Sequence, residues 1–125
     1  MKKVICSTAA PGAIGPYSQA IEAGGMVFVS GQLPINAATG SMAEGAEAQA
    51  RQSLENIRHI LAAAGMSMSD IVKTTVFLAD MAYFADMNKV YATYFDGDFP
   101  ARSAVAVKAL PKEALVEIEC IAVRP

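Results

Sequence analysis

The sequence predicts an α+β domain in which one sheet carries two helices on one of its faces. Two segments place apolar residues at steps of three and four, which is typical of amphipathic helices. The other apolar segments are short and either alternate with period two or are rich in β-branched and aromatic residues, which favours strands. Their order is strand, strand, helix, strand, helix, strand, strand, and a length of 125 residues predicts one domain, 1–125.

The first predicted elements are strands. A short strand is predicted at 3–6, and the extended runs 17–23 and 26–30 flank a Gly-Gly pair at 24–25. Such a pair favours a β-hairpin because glycine adopts positive φ without steric cost. The segment 31–43 is predicted as a surface loop, and a loop of this length is either functional or held by another subunit.

A long amphipathic helix is predicted at 44–64, and Gly65 is expected to end it. Its apolar face is formed by Ala46, Ala50, Leu54, Ile57, Leu61 and Ala64. The segment 71–78 follows and is rich enough in β-branched residues to be a central strand.

The second half of the chain repeats the strand–helix pattern. Asp80 is placed to cap a helix that runs to Tyr94, and strands at 102–110 and 115–123 complete the sheet. Both helices then cover one face, and no further element covers the other. Because the chain is 54% apolar and only 18% charged, this open face predicts self-association around a symmetry axis.

Charge and hydropathy exclude two classes of partner. The net charge is −2 and no cluster of basic residues exists beyond Lys2 and Lys3, so binding to nucleic acid is not expected. No uncharged apolar run approaches the roughly 18 residues of a membrane span, and Val4-Ile5 is too short for the apolar region of a signal peptide. We expect a soluble, cytoplasmic protein with no membrane partner.

The inventory of reactive side chains excludes several chemistries. His59 is the only histidine, and its place beside Arg58 favours an exposed or interfacial position over a catalytic one. Cys6 and Cys120 lack CxxC spacing and are predicted to be free thiols, with Cys120 buried. The phosphate-binding motifs GxGxxG and GxxxxGK are absent, and no metal-ligand spacing occurs.

Arg102 and two glutamates are the strongest candidates for chemistry. Arg102 leads into an apolar segment, so its guanidinium either binds a substrate carboxylate through two parallel hydrogen bonds or forms an internal salt bridge. Glu117 and Glu119 share one face of the last strand, since strand side chains alternate. They are either half-buried and able to act as a base towards water, or exposed charges on an edge strand that prevent its pairing with another chain.

Three further residues are candidates to line a pocket. Tyr17 follows Gly15-Pro16, and Ser30 and Gly31 end the second hairpin strand. They would supply a phenol, a hydroxyl and an approachable backbone amide. The alternative is that the glycines serve turns and that Tyr17 is an ordinary strand aromatic.

These residues lie in blocks that together resemble the Rid (YjgF) family of enamine and imine deaminases, most closely its RidA branch. The resemblance spans nearly the whole chain. Its blocks are 13–20 (AIGPYSQA), 30–34 (SGQLP), 49–54 (QARQSL), 70–76 (DIVKTTV), 99–103 (FPARS), 110–112 (LPK) and 117–119 (EIE). One block alone would be weak evidence, whereas their combination at this spacing is specific.

The resemblance implies a chorismate-mutase-like fold of βαβ repeats with a mixed six-stranded sheet. It further implies a homotrimer whose sheets pack inside and whose sites lie between subunits. Arg102 would then bind the substrate carboxylate and Glu119 would activate water, with help from Tyr17. The pocket would be lined by Ser30, Gly31, Asn88 and the backbone of Ala104, which stands where RidA members often carry cysteine.

The implied reaction is hydrolysis of reactive enamines and imines to 2-keto acids and ammonia, without a metal or an organic cofactor. The expected substrates are 2-aminoacrylate, its tautomer 2-iminopropanoate, and 2-iminobutanoate. The alternative is a non-catalytic trimer that binds a keto acid for regulation or acts as a chaperone. A ribonuclease role has also been attached to the family, and the acidic balance of this chain disfavours it.

Overall fold

The molecule is built on a six-stranded sheet with two α-helices packed against one face, and a computed structural model describes residues 1–125. The strands run β1-β2-β3-β6-β4-β5 across the sheet. Only β4 and β5 are parallel, so the predicted mixed sheet and the α+β fold class are confirmed. The elements are β1 (Lys3–Ile5), β2 (Ala20–Ala23), β3 (Met26–Gln32), α1 (Ala46–Ala63), β4 (Ile71–Leu78), α2 (Phe84–Tyr91), β5 (Ala101–Ala106) and β6 (Val116–Val123).

The core lies between the sheet and the helices. Along β6 the alternating residues Val116, Ile118, Cys120 and Ala122 are all buried against the helices. The predicted apolar face of α1 is buried from Ala46 to Leu61, and each Leu or Ile buried there contributes about 1.5–3 kcal/mol. Gly65, with φ of 72°, follows the end of this helix as predicted. The intervening β6 side chains, Glu117 and Glu119 among them, face away from the helices.

Two strands are shorter than predicted. β2 begins at Ala20 and not at Tyr17, because the chain turns at 15–17, where the Tyr17 amide donates to the Gly15 carbonyl at 2.8 Å. β5 ends at Ala106 and not at Leu110. Its parallel partner β4 ends at Leu78, so residues beyond 107 have no strand with which to pair.

The second helix is divided into three pieces. Its first turn, 81–83, and its last, 92–94, are 3₁₀-helical, and α2 itself covers Phe84–Tyr91. Asp80 caps the first turn as predicted, since its carboxylate accepts a 2.8 Å hydrogen bond from the Ala82 amide. The side chains of α2 that face the sheet lie beside β5, which places Asn88 and Tyr91 next to Arg102.

The long loop after β3 is held by the chain's own helix α1. Asn56 Nδ2 donates to the carbonyls of Leu33 and Ile35 at 3.0 Å each. Gln49 Nε2 donates to the Ala43 carbonyl at 3.0 Å, at the other end of the loop. The sequence had predicted a loop that was functional or held by another subunit; the loop is anchored within its own chain, and it lines the largest cavity of the molecule.

The face of the sheet opposite the helices is uncovered in the single chain. Phe28 and Val105 lie on it, and they remain 42% and 45% exposed. Glu117 and Glu119 lie on the same face. Neither helix is both long enough and apolar enough to cross a membrane.

Candidate functional site

The largest cavity of the chain, about 930 Å³, lies on the open side of the sheet. Its walls come from the N-terminal segment 6–12, from the end of β3 and its following loop, and from β6. Four predicted site residues line it, namely Tyr17, Ser30, Gly31 and Glu119, together with Glu117. The three residues that the sequence proposed as pocket-lining candidates therefore share one cavity with Glu119, which only the family resemblance had joined to them.

Glu117 and Glu119 enter this cavity from the centre of the sheet. β6 lies between β3 and β4 and is not an edge strand, so the interpretation of these glutamates as charges that protect an edge strand is wrong. Both side chains are half-buried, and neither takes part in an ion pair. Burial raises the pKa of Glu117, and repulsion from the neighbouring Glu119 carboxylate raises it further.

Ser30 and Gly31 form a β-bulge opposite these glutamates. The pairing of β3 with β6 shifts register between Val29 and Gln32, and Ser30 Oγ donates to the Ser18 carbonyl at 2.6 Å. A Cβ at position 31 would lie 2.8 Å from Glu117 Oε2. The glycine therefore gives room to the Glu117 carboxyl group, and it is needed for space and not only for a turn.

Tyr17 lies at the edge of the cavity, in the turn that precedes β2. Its side chain is 50% exposed, so it is not the packed strand aromatic of the alternative interpretation. Gln19, two residues later, is buried and accepts a 2.7 Å hydrogen bond from the Ser7 amide while its Nε2 donates to the Pro11 carbonyl at 2.8 Å. This side chain fixes the N-terminal wall of the cavity.

Arg102 lies in a second, smaller cavity of about 420 Å³ beside α2. Its Nη1 donates a 2.6 Å hydrogen bond to Asn88 Oδ1, and its guanidinium lies over the rings of Tyr91 and Phe84, at 4.8 Å and 5.4 Å. Arg102 forms no ion pair, so the internal salt bridge that was the alternative interpretation is wrong. Its remaining N–H groups can serve an external carboxylate.

The two cavities belong to opposite faces of the sheet. Arg102 pairs with Thr74, which is buried against the helices, whereas Glu119 pairs with Thr75, which faces the other side. Within one chain, Arg102 and Glu119 thus line different cavities. Ala104, half-buried on the same side of β5 as Arg102, lines neither of these two.

Other reactive residues lie outside both cavities or on their margins. His59 Nδ1 lies 3.1 Å from the Ala9 carbonyl and lines neither cavity. Cys120 is buried as predicted, and burial raises its pKa to about 12, which leaves the thiol unreactive. Cys6 is exposed at the cavity wall, and no three His, Cys, Asp or Glu residues cluster as a metal site would require.

Comparison with known proteins fixes the family. The family described as Endoribonuclease L-PSP matches residues 7–124. A 2-iminobutanoate/2-iminopropanoate deaminase of Salmonella typhimurium is 52% identical over 99% of both chains. The chain belongs to the Rid (YjgF) family.

Other Rid proteins match along their whole length. The RutC family protein PH0854 of Pyrococcus horikoshii is 55% identical over 98% of both chains. The crystal structure of E. coli TdcF with bound serine superposes with a TM-score of 0.95 at 49% identity, covering 98% of this chain and 99% of that one. The fold expected from the Rid resemblance is therefore confirmed.

Several residues around the two cavities were not among the site residues predicted from the sequence. Tyr91 and Phe84 support the Arg102 guanidinium, and Lys112 lines the larger cavity from a turn with positive φ of 57°. Tyr91 had a detectable signal, because it lies three residues after Asn88 on the same face of a helix. Lys112 lies in block 110–112 of the resemblance, but local pattern does not show its place in the cavity, since that depends on how the segment between β5 and β6 turns back over the sheet.

Proposed function

We propose that this chain hydrolyses reactive imines and enamines that carry a carboxylate, such as 2-aminoacrylate, 2-iminopropanoate and 2-iminobutanoate, to 2-keto acids and ammonia. The observation that carries the proposal is an arginine that is oriented by Asn88 and two aromatic rings yet has no ion-pair partner. A guanidinium held in this way is preorganised for a ligand carboxylate. The deaminase name of the Salmonella relative supports the same assignment.

The complete site, in this proposal, forms between subunits of a homotrimer. One subunit would contribute Arg102 and Asn88, and its neighbour would contribute Tyr17, Ser30, Gly31 and Glu119. Two features support this arrangement, namely the two half-sites on opposite faces of the sheet and the exposed apolar residues around the larger one. Covering that face would also exclude bulk solvent from the site while leaving room for the reacting water, which strengthens every charge interaction inside.

The proposed mechanism needs positioning and proton transfer. Arg102 holds the carboxylate end of the imine by two parallel hydrogen bonds, which leaves the imine carbon facing the glutamates. Glu119 accepts a proton from a water molecule as that water adds to the carbon, and a carbinolamine forms. Ammonia leaves once its nitrogen has been protonated, and Tyr17 assists from the cavity edge. Because imines already hydrolyse in water, one general base, typically worth about 10²–10⁴ in rate, suffices for useful turnover.

Replacing Arg102 tests the proposal. Arg102→Ala is expected to lower kcat/KM at least about 100-fold, because charge-assisted hydrogen bonds contribute about 1.5–3 kcal/mol each. The measurement is keto-acid formation from enzymatically generated 2-aminoacrylate. Arg51→Ala, which removes an exposed arginine of α1 that takes part in no ion pair and lines neither cavity, serves as the control. Wild-type turnover by Arg102→Ala would refute the anchoring role, and 2-oxobutanoate binding without any turnover by the unaltered protein would favour the regulatory alternative.

A further inference from the structure

Glu117 places a second carboxyl group in the cavity of Glu119, and it has no ion-pair partner that would explain it structurally. It projects from the central strand β6 into the cavity of Glu119, and its carboxyl group packs on the backbone of Gly31. It is half-buried and forms no ion pair. Because a desolvated carboxylate without a partner costs free energy, a purely structural role would favour an apolar residue here, like the Phe77 that pairs with it on β4.

The groups around Glu117 favour its neutral, protonated form. Burial raises its pKa and the Glu119 carboxylate raises it further, with no hydrogen bond to lower it. From the other walls, β3 contributes Gly31 and β4 contributes Phe77, neither of which titrates. Within one chain the remaining titratable groups of the cavity are Cys6, Tyr17 and Lys112. In the proposed trimer, Arg102 of the neighbouring subunit would also face the site, where its charge would be paired with the substrate carboxylate.

We propose that Glu117 is the general acid of the reaction and works as the partner of the base Glu119. This inference rests on the proposed function. A carboxylate base beside a carboxyl group whose surroundings favour its protonated form is a recurrent solution for acid–base chemistry at neutral pH. Residues 117 and 119 are two apart on one strand, so their side chains point into the cavity about 6.5–7 Å from each other at the backbone.

The proton balance closes over the two steps. In the first, water oxygen bonds to the imine carbon, the ionised Glu119 takes a proton from that water, and neutral Glu117 gives its proton to the imine nitrogen. The C=N bond becomes a C–N single bond, and the carbinolamine carries OH and NH₂. In the second step Glu119 returns its proton to the nitrogen, the ionised Glu117 takes the hydroxyl proton, the C–N bond breaks and C=O forms. Ammonia leaves, and both carboxyl groups regain their starting states.

Glu117→Gln tests this assignment because it keeps the shape and removes the transferable proton. We expect kcat to fall about 100-fold or more while KM changes less than about threefold. The pH profile of kcat/KM should also change. The unaltered protein loses activity as pH rises through the Glu117 pKa, since the acid is then ionised, and this alkaline limb should disappear in the variant. Glu113→Gln, which makes the same replacement outside the cavity, should leave kcat and the profile unchanged.

Chemical rescue separates an acid from a residue that only maintains the fold. In Glu117→Ala, acetic acid in the buffer is expected to restore turnover in proportion to its protonated form. An unchanged kcat in Glu117→Gln, or a lowered kcat with both limbs intact and no rescue, would overturn the assignment. If the unaltered protein has no deaminase activity, the proposed function itself fails, which is a different outcome from an active protein that is indifferent to position 117.

Discussion

At the scale of single residues, the position of the Glu117 carboxyl group in the larger cavity depends on the absence of a Cβ atom at residue 31. A Cβ at position 31 would lie 2.8 Å from Glu117 Oε2 and 2.9 Å from its Cδ, closer than such atoms approach in proteins. The φ of Gly31 is not in the left-handed region, so space and not backbone conformation requires glycine. The bulge at Ser30 and Gly31 brings this backbone to the glutamates, which links an irregularity in strand pairing to the chemistry.

Gly31→Ala is expected to displace the Glu117 carboxyl group and to lower kcat by roughly 100-fold, since a shift of about 1 Å in a catalytic group has an effect of this size. The free energy of unfolding should change by less than about 1 kcal/mol, because the atoms that must move are the end of a flexible side chain. Steady-state kinetics and urea unfolding measure the two effects. Gly12→Ala is the matched control, since a Cβ there meets nothing within 4 Å although Gly12 lines the same cavity. Equal kcat values for the two variants would contradict the role of Gly31.

At the scale of elements, the hydrophobic pattern predicted the strands and helices. It did not predict how the loop after β3 is held, which depends on hydrogen bonds from buried polar side chains of α1. The steps from Ala46 to Leu61 located α1 and its buried face. Gln49 and Asn56 of the same helix are also buried, because they bond the loop after β3, and no periodicity distinguishes such residues from polar surface residues. β5 was predicted too long because strand propensity does not show where a partner strand ends.

Asn56→Ala is expected to lower the free energy of unfolding by about 1–3 kcal/mol, since it leaves the carbonyls of Leu33 and Ile35 without their donor. Hydrogen exchange in residues 33–43 should accelerate more than exchange in the sheet. Gln52→Ala serves as the control, because Gln52 bonds only the Asn56 side chain and reaches no loop carbonyl. If both variants were equally stable and the loop exchanged as before, α1 would not be its anchor.

At the scale of the whole molecule, the sequence predicted the uncovered face of the sheet, but it did not predict from which face each candidate residue projects. Arg102 and Glu119 were expected to share a site between subunits, and within one chain Arg102 faces α2 whereas Glu119 faces the open side. The face on which a strand residue lies depends on the register of its strand, and the parallel strands β4 and β5 are joined through α2 and not by a tight turn that would fix their register locally. Local pattern does not encode that register, whereas the uncovered face was predictable because only two helices are available to cover the sheet.

Mixing two inactive variants tests whether the site lies between subunits. Arg102→Ala supplies an intact Glu119, and Glu119→Gln supplies an intact Arg102, so a site formed by one chain of each kind can be complete. In a closed ring with random 1:1 assembly, about one quarter of the sites would regain both residues. Co-refolded protein should therefore recover about a quarter of normal turnover, with a mass near three times the 13.1 kDa chain by light scattering. Recovery requires subunit exchange, so the same two proteins mixed without unfolding should regain activity only slowly. A trimer that stays inactive after co-refolding would place both residues in a site within one chain or remove one of them from the chemistry.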